Sequence, residues 1–239
     1  MAKKQKKRSS YSKRKPKDVI DVLYEDDDII AIDKPPGLLS VPITGSAVPS
    51  AYSVLREQLG KVYIVHRLDR YSSGILMFAR TEEARHSLIQ QFLAHTPKRE
   101  YRALVQGELK TEKGELVHHF KLGREGFRQQ LVTKKAPGAA RAALTYSTVK
   151  RFQKATLIEV TLQSGLKNQI RAQFAAIGHP LIGERQYADA SSEFPINHQA
   201  LYASRLEFDH PMSKKRIVIK TDAPRDFVNV MQMLKSLPD

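Results

Sequence analysis

The chain has 239 residues, no cysteine and a formal net charge of +15, with 40 lysines and arginines against 25 acidic residues. This length allows one large domain or two small ones, and the missing thiols exclude disulfides, cysteine nucleophiles and cysteine-ligated zinc or iron–sulfur centres. No hydrophobic leader and no run of about 18 apolar residues is present. We therefore expect a cytoplasmic protein without a membrane span.

The positive charge is concentrated at the amino terminus. Residues 1–17 hold nine lysines and arginines and no acidic residue, so +6 remains for the other 222 residues. Because almost no apolar side chain is present there, burial cannot offset the entropy of ordering. We predict a disordered basic tail over residues 1–18 and one folded domain over 19–239. Such a tail suits nonspecific phosphate binding, and a solubilising or targeting role stays open.

The first predicted elements are a hairpin and a helix. Two apolar runs within residues 19–33 flank an acidic turn at 26–28, which predicts a β-hairpin. Apolar residues spaced for one face predict a helix over 50–59, which Gly60 ends.

A short apolar strand is predicted next, over residues 74–78. Thr81 is suited to cap a second helix. The apolar positions expected to face the core from that helix are Ala84, Leu88, Phe92 and Leu93.

The rest of the chain is rich in predicted strands. They cover residues 100–107, 115–121, 128–133, 142–149, 156–162, 201–208 and 216–219. A helix is predicted over 168–177, with Ile170, Phe174 and Ile177 on its apolar face, and a second one over 224–237.

Strands outnumber helices, and several neighbouring strands are joined by hairpin-length connections. This pattern predicts an α+β fold on a mainly antiparallel mixed β-sheet with flanking helices. The βαβ alternation typical of parallel sheets is missing.

Familiar cofactor motifs are missing as well. The chain has no phosphate-cradling Gly-x-x-x-x-Gly-Lys loop and no dinucleotide fingerprint. Its eight histidines are scattered, and the adjacent His118 and His119 face opposite sides of a strand. We therefore expect neither a cofactor nor a metal site.

The most informative segment is 66–74, HRLDRYSSG. Asp69 lies between Arg67 and Arg70, and nearby positive charge favours an ionised carboxylate that can act as a nucleophile or a base. A loop acid held in structural ion pairs is the alternative that these nine residues allow.

Two further segments point to the same kind of site. Tyr101 stands between cationic neighbours at the start of a predicted strand, and Gln169 and Arg171 stand in the first turn of a predicted helix. Taken alone, the tyrosine is more typical of core packing and the arginine of an exposed surface.

Together these segments resemble the RluA family of pseudouridine synthases. The matching segments are 34–37 (KPPG), 66–74 (HRLDRYSSG), 100–107 (EYRALVQG), 169–171 (QIR) with 178–183 (GHPLIG), and 206–211 (LEFDHP). The resemblance runs from about residue 20 to about residue 230. It implies a pseudouridine synthase fold with a central active-site cleft and an isomerisation of uridine in RNA that needs no cofactor or metal.

The resemblance also implies roles for individual residues. Asp69 is the catalytic aspartate, Arg171 the cation that pairs with it, and Tyr101 the phenol that stacks on the target base and helps to remove the proton at C5. Arg67 is the candidate wedge that fills the space of an extruded uridine. The substrate-binding positions that we assign are Arg67, His66, Arg70, Gln169 and Lys34.

The chain departs from the family's pattern at four positions. Ser72 stands where threonine is usual, Asn168 and Tyr202 where histidine is common, and Glu184 where aspartate is common. The Asn168 change raises the question of how the third motif is held together. A separate RNA-binding domain of the S4 type is not expected, because the basic tail is too short to form one.

Three functions stay open from the sequence. The first is an RNA uridine isomerase that acts on a stem-loop of ribosomal or transfer RNA, as a monomer. The second is a noncatalytic RNA-binding or RNA-folding protein on the same scaffold. The third is a hydrolase of free nucleosides, which the polybasic tail disfavours because a small neutral substrate gains little from it.

Overall fold

The computed structural model describes residues 20–123, 128–188 and 194–237. The predicted basic tail, residues 1–18, lies outside the described residues, so its disorder stays a prediction. Within the described ranges, no helix has both the length and the apolar character needed to cross a membrane.

The described residues form eleven strands and four helices. The strands are β1 (Asp21–Glu25), β2 (Ile29–Lys34), β3 (Tyr63–Ile64), β4 (Ser73–Ala79), β5 (Lys98–Gln106), β6 (Lys113–Leu122), β7 (Gln129–Leu131), β8 (Ala140–Phe152), β9 (Ala155–Leu162), β10 (Leu201–Asp209) and β11 (Arg216–Lys220). The helices are α1 (Ala51–Leu59), α2 (Glu82–Leu93), α3 (Gln169–Ala176) and α4 (Arg225–Ser236).

All of these strands belong to one mixed sheet. Its order is β1-β2-β4-β10-β5-β9-β8-β6-β7, with β11 paired to β10 and β3 paired to β4. The strands pair antiparallel throughout, except for β4 with β10. The predicted α+β fold on a mainly antiparallel sheet is therefore confirmed.

The parallel pair β4 and β10 lies at the centre of the sheet and depends on a glycine. Gly74 has a φ of +95° and pairs with Ala203, and a Cβ at this position would lie 2.3 Å from the Ala203 carbonyl oxygen. Only a residue without a side chain fits such an approach. The approach connects the loop that precedes β4 to β10, and through β10 to β5, which carries Tyr101.

The hydrophobic core is divided between the two faces of the sheet at β5. Tyr101 belongs to the same buried cluster as Phe174 of α3, whereas Leu104 belongs to a second cluster with Phe227 of α4. Residues of opposite parity point to opposite faces of a strand. Tyr101 therefore lies on the face of the sheet that α3 covers.

Most predicted elements agree with the observed ones, and three details do not. The strand predicted at 128–133 is shorter, and the two-residue strand β3 is too short for any periodicity to indicate. Leu93, which was expected in the core, is 68% exposed. As the last residue of α2 it points to solvent, while its neighbour Phe92 packs inward and stacks on the His66 ring.

The close approach at Gly74 predicts a specific loss of stability. Gly74→Ala places a Cβ against backbone and adds the left-handed penalty of about 1–2 kcal/mol. Gly178→Ala is the matched control, because Gly178 has a φ of +80° and a Cβ added there would meet no atom within 4 Å. In urea unfolding, Gly74→Ala should lose at least about 2 kcal/mol more than the control. Equal losses would show that the sheet adjusts to the methyl group.

Candidate active site

The Asp69 carboxylate is carried by a tight turn just before β4. The Asp69 carbonyl oxygen accepts a hydrogen bond from the Ser72 amide at 3.1 Å, which places Arg70 and Tyr71 at the centre of the turn. The Asp69 side chain is partly exposed, at 21%. The acid is thus held in a rigid turn and remains accessible to a substrate.

Lys34 fixes this turn from below. Its side chain is fully buried, and its Nζ donates hydrogen bonds to the carbonyl oxygens of Pro35 at 3.0 Å, Leu38 at 2.9 Å and Arg70 at 3.0 Å. Burial lowers the pKa of Lys34 to about 7, while the charge of Asp69 opposes this shift. The ammonium hydrogens are all committed to backbone oxygens. The structure therefore does not place Lys34 where it can contact a substrate, as the sequence had suggested, but in the support of the loop.

Ser40 holds the residue before Asp69 in the same way. The Ser40 hydroxyl donates to the Leu68 carbonyl oxygen at 2.8 Å and accepts from the Leu68 amide at 3.0 Å. Two segments of backbone are thereby locked together next to the acid.

His66 also supports the loop rather than lining the cleft. Its Nε2 accepts a hydrogen bond from the Met77 amide at 3.0 Å, and its ring stacks on Phe92 with centroids 4.7 Å apart. Burial lowers the pKa of His66 to about 3, and the charge of Arg99 acts in the same direction. The imidazole is neutral at pH 7 and turned toward β4, so the predicted substrate contact is not formed by this geometry.

Arg171 of α3 is shared between two carboxylates. Its Nη1 lies 3.4 Å from Asp69 Oδ2, which is the predicted pairing. Its shorter bonds go to Glu184, from Nε to Oε2 at 2.7 Å and from Nη2 to Oε1 at 2.8 Å. Glu184 is therefore the main partner of this guanidinium, and nothing in the sequence indicated this beyond a noted departure from the family's pattern.

The Glu184 carboxylate is itself fully enclosed. Its side chain is 0% exposed, and its Oε1 accepts from the backbone amides of Arg185 at 3.0 Å and Gln186 at 2.7 Å. Burial alone would raise the pKa of Glu184, but the hydrogen bond and charge of Arg171 outweigh it and lower that pKa. Burial would likewise lower the pKa of Arg171, and the bond and charge of Glu184 raise it instead.

The structure shows how the third motif is held together with Asn168 in place of the histidine that is common there. It adopts a left-handed conformation with a φ of +55° directly before α3, which asparagine tolerates better than most residues. Its Oδ1 accepts a hydrogen bond from Arg171 Nη1 at 2.9 Å. The third motif is thus held by an asparagine that directs the same guanidinium toward Asp69.

Tyr101 lies in the cavity that contains the acid. This cavity has a volume of about 190 Å³, and Asp69, Arg171 and Arg67 line it as well. Burial raises the pKa of the Tyr101 phenol, the charge of Arg99 opposes this, and the charge of Asp69 adds to it. Tyr101 is therefore a neutral phenol at pH 7. That state suits stacking on a base and disfavours proton removal while Asp69 is charged.

Gln169 lines the same cavity, yet its polar atoms are engaged within the protein. Its Oε1 accepts from the Ser164 hydroxyl at 2.8 Å and the Leu166 amide at 3.0 Å, and its Nε2 donates to the Ala143 carbonyl oxygen at 3.0 Å and to Gln173 Oε1 at 3.0 Å. A substrate contact by Gln169 would have to displace one of these bonds.

A second, larger cavity of about 640 Å³ opens from the same residues. It shares Asp69, Arg67 and Arg171 with the smaller one. Five cations and a single carboxylate line it, and the cations are Arg67, Arg70, Lys167, Arg171 and Arg185. The predicted substrate contacts Arg67 and Arg70 are both exposed here. Lys167 and Arg185 were not predicted, because nothing in the sequence indicates that their loops meet those of Asp69.

One group of potential metal ligands lies at the β1–β2 turn. Asp26, Asp28 and His210 bring their ligand atoms within 4.8 Å of one another. His210 Nδ1 accepts from the backbone amides of Met212 and Ser213, so Nε2 carries the proton and donates to Asp26 at 2.9 Å. This nitrogen has no lone pair for a metal. The expectation of a metal-free protein stays a prediction.

Comparison with known proteins agrees with this site. A model of the family described as RNA pseudouridylate synthase matches residues 28–176. The chain belongs to this family. Its members are isomerases that convert uridine to pseudouridine in RNA, and the resemblance stated from the sequence motifs is confirmed.

Several curated relatives match along most of the chain. The uncharacterized RNA pseudouridine synthase YlyB of Bacillus subtilis is 31% identical over 90% of this chain and 73% of its own length. The dual-specificity RNA pseudouridine synthase RluA of Pasteurella multocida is 32% identical over 82% and 90%, respectively. The tRNA pseudouridine synthase C of Haemophilus ducreyi is 31% identical over 84% and 89%.

Solved structures share the fold. The human RNA pseudouridylate synthase domain containing 4 superimposes with a TM-score of 0.74 at 18% identity, covering 92% of this chain and 95% of its own. The human domain containing 1 gives a TM-score of 0.73 at 17% identity, covering 95% and 98%. The predicted pseudouridine synthase fold is therefore confirmed.

The neutral state of His66 predicts a pH dependence of stability. Below its ordinary pKa of about 6.5 the unfolded histidine binds a proton that the folded ring resists. The free energy of unfolding should therefore fall as the pH drops from about 6.5 toward about 3, by up to about 1.4 kcal/mol per pH unit. His66→Gln keeps an acceptor for the Met77 amide and should remove this component. The exposed His86→Gln should leave it unchanged, and a parallel pH profile for all three proteins would contradict the assignment.

The Arg171–Glu184 pair predicts a second effect on stability. Glu184→Gln keeps the shape of the side chain but leaves a buried guanidinium without its main counter-charge, which should cost about 3–5 kcal/mol. Glu184→Asp keeps the charge on a shorter stem and should lose clearly less. The measurement is urea unfolding at pH 7. A glutamine variant as stable as the wild type would mean that Asp69 and Asn168 suffice to hold Arg171.

Proposed function

We propose that this protein isomerises selected uridines to pseudouridine within structured ribosomal or transfer RNA, and that Asp69 acts at the ribose of an extruded uridine. The observation that carries the proposal is the juxtaposition of the Asp69 carboxylate, the Arg171 guanidinium and the Tyr101 ring in one small cavity below a cationic cleft.

The proposed reaction is an isomerisation, so it balances without a co-reactant. The bond between C1′ and N1 breaks, a bond between C1′ and C5 forms, the proton on C5 leaves and N1 gains one. No atom is gained or lost, so neither an oxidant nor a net water enters. A carboxylate at the anomeric carbon suits this exchange, either by forming a ribosyl ester as in retaining glycosidases or by removing a proton from the sugar.

Each of the other groups has a place in this chemistry. Arg171 orients the carboxylate and stabilises its charge at a short distance in a partly buried site. The Tyr101 ring packs on the face of the detached uracil. Arg67 is exposed at the rim of both cavities, so it is placed to occupy the gap that the extruded uridine leaves.

The cleft supports a folded RNA as substrate. Five cations against one carboxylate attract a polyanion rather than a free neutral nucleoside. One relative is named a tRNA pseudouridine synthase and another a dual-specificity RNA pseudouridine synthase, and a further one, the ribosomal large subunit pseudouridine synthase D of Nitrosomonas europaea, is 34% identical over 91% of this chain. Both RNA classes are therefore represented among the relatives. We extend the proposal to a monomeric, cytoplasmic enzyme without cofactor or metal, whose basic tail adds nonspecific affinity for phosphate.

A noncatalytic RNA-binding protein is the alternative. Such a protein gains nothing from an acid in a cleft for phosphates, because like charges repel. The intact set of Asp69, Tyr101 and Arg171 favours turnover.

The test compares wild-type protein with Asp69→Ala on total RNA from a strain that lacks this gene. Pseudouridine is mapped by carbodiimide-dependent stops of reverse transcription. Wild-type protein should create new stops and Asp69→Ala none, because the group that acts on the ribose is gone. Asp209→Asn is the control, since Asp209 is an exposed carboxylate paired with Arg216 away from the cleft, and it should act like the wild type.

Two results would count against the proposal. Stops of equal strength with Asp69→Ala would remove Asp69 from the chemistry. An absence of stops with all three proteins, together with tight binding to the same RNA, would favour the noncatalytic alternative.

A further inference from the structure

Tyr71 is an aromatic side chain in an unusual position. It is 44% exposed, and among the described residues it is the one aromatic in the set of exposed large hydrophobic side chains. It stands at the centre of the turn that carries Asp69, two residues after the acid. A large exposed ring so close to the proposed reacting group is placed where an RNA base can stack on it.

A second ring lies next to it. The planes of Tyr71 and His198 differ by only 11°, and their centroids are 6.1 Å apart, which is an offset parallel arrangement. The Arg70 guanidinium lies 5.3 Å from the Tyr71 centroid. The offset leaves much of the Tyr71 ring uncovered, as its exposure shows.

His198 is held rigidly in this arrangement. Its Nε2 lies 2.7 Å from Asp226 Oδ2 and its Nδ1 lies 3.2 Å from the Gln199 carbonyl oxygen. The side chain is only 13% exposed. The His198 ring, held at Nε2 by the Asp226 carboxylate, therefore backs the Tyr71 ring in a parallel arrangement, so part of the surface is preformed before a ligand binds.

The two cavities separate the roles of the aromatic residues. Tyr101 lines the small cavity with Asp69, whereas Tyr71 and His198 line only the larger one. A uridine that reacts at Asp69 and stacks on Tyr101 occupies the small cavity. The surface at Tyr71 is therefore available to a different nucleotide of the same strand.

We propose that Tyr71 and His198 form a stacking platform for the nucleobase that neighbours the extruded uridine. This inference rests on the proposed function. Extruding one base unstacks its neighbour, and unpaired bases in RNA are commonly received on aromatic and arginine planes. The cations that line the same cavity hold the phosphates on either side. A strand of RNA therefore fits this site better than an apolar protein surface, which carries no negative charge to pair with these cations.

The test measures RNA binding by Tyr71→Ala and Tyr71→Phe. The probe is the stem-loop that carries the mapped uridine, or total transfer RNA if no uridine is mapped, at one fixed salt concentration. Loss of one base stack of about 1–3 kcal/mol corresponds to a Kd raised about 5- to 150-fold. Tyr71→Ala should show this loss. Tyr71→Phe keeps the ring and should bind within about threefold of the wild type.

A set of probes with one abasic nucleotide each identifies the stacked base. When the base that contacts Tyr71 is missing, wild type and Tyr71→Ala should bind equally, while abasic sites elsewhere should leave their difference intact. The single-turnover rate at saturating RNA is measured for the wild type, Tyr71→Phe and Tyr71→Ala. This separates a binding platform from a disturbed Asp69 turn, which would lower that rate.

Three outcomes would overturn the platform. These are an unchanged Kd for Tyr71→Ala, a Tyr71→Phe variant as weak as the alanine variant, and a difference that no abasic position removes. Failure of the proposed function is distinguishable, because it appears as wild-type protein without pseudouridine formation, whereas the platform is measured by binding alone.

Discussion

The site depends on one buried ion pair, the bidentate contact between Arg171 and Glu184. A guanidinium out of water needs a counter-charge and hydrogen-bond acceptors in good geometry. Glu184 supplies both and is in turn held by the backbone amides that follow it. The Nη1 nitrogen of Arg171 is not used in the bonds to Glu184, and it contacts Asn168 and Asp69 instead. Arg171 is therefore fixed before the substrate arrives, and it need not move when the charge of Asp69 changes.

The acid is supported from the other side by groups that resemble binding residues in the sequence. Lys34, His66 and Gln169 are polar residues within or beside family motifs. The sequence therefore predicts that they contact the substrate. The structure instead uses their polar atoms for backbone groups of the protein: Lys34 binds the turn at Arg70, His66 binds β4 at Met77, and Gln169 binds β8 at Ala143. Arg67 and Arg70 are equally polar and face the open cleft. Arg67 and Arg70 are exposed, whereas the polar atoms of the other three residues are engaged within the protein. This difference arises from the fold, so it cannot be predicted from the neighbouring residues in the sequence.

The sequence was most informative where local rules decide the outcome. Periodicity and capping predicted the helices and most strands, with Thr81 at its expected cap, and the motif order pointed to Asp69, Tyr101 and Arg171. It was least informative where distant segments meet. The parallel contact of Gly74 with Ala203 joins strands far apart in the chain, and residues 167 and 185 come together with 67 only through that sheet. Glu184 was seen only as a departure from a pattern, because its importance lies in a partner thirteen residues away.

The charge of Asp69 also bears on the proposed role of Tyr101. In the resting protein that charge adds to burial in raising the pKa of Tyr101, so the phenol holds its proton. In the proposed reaction, Asp69 is neutral midway by either route, as a ribosyl ester or as an acid that holds a sugar proton. In the ester route, C1′ releases the Asp69 oxygen as it bonds to C5, so Asp69 is again a carboxylate when the C5 proton must leave. Burial and the charge of Asp69 then both raise the pKa of Tyr101 at this step, as they do in the resting protein. The proposed role of Tyr101 that this coupling favours is therefore stacking on the detached base with its proton retained.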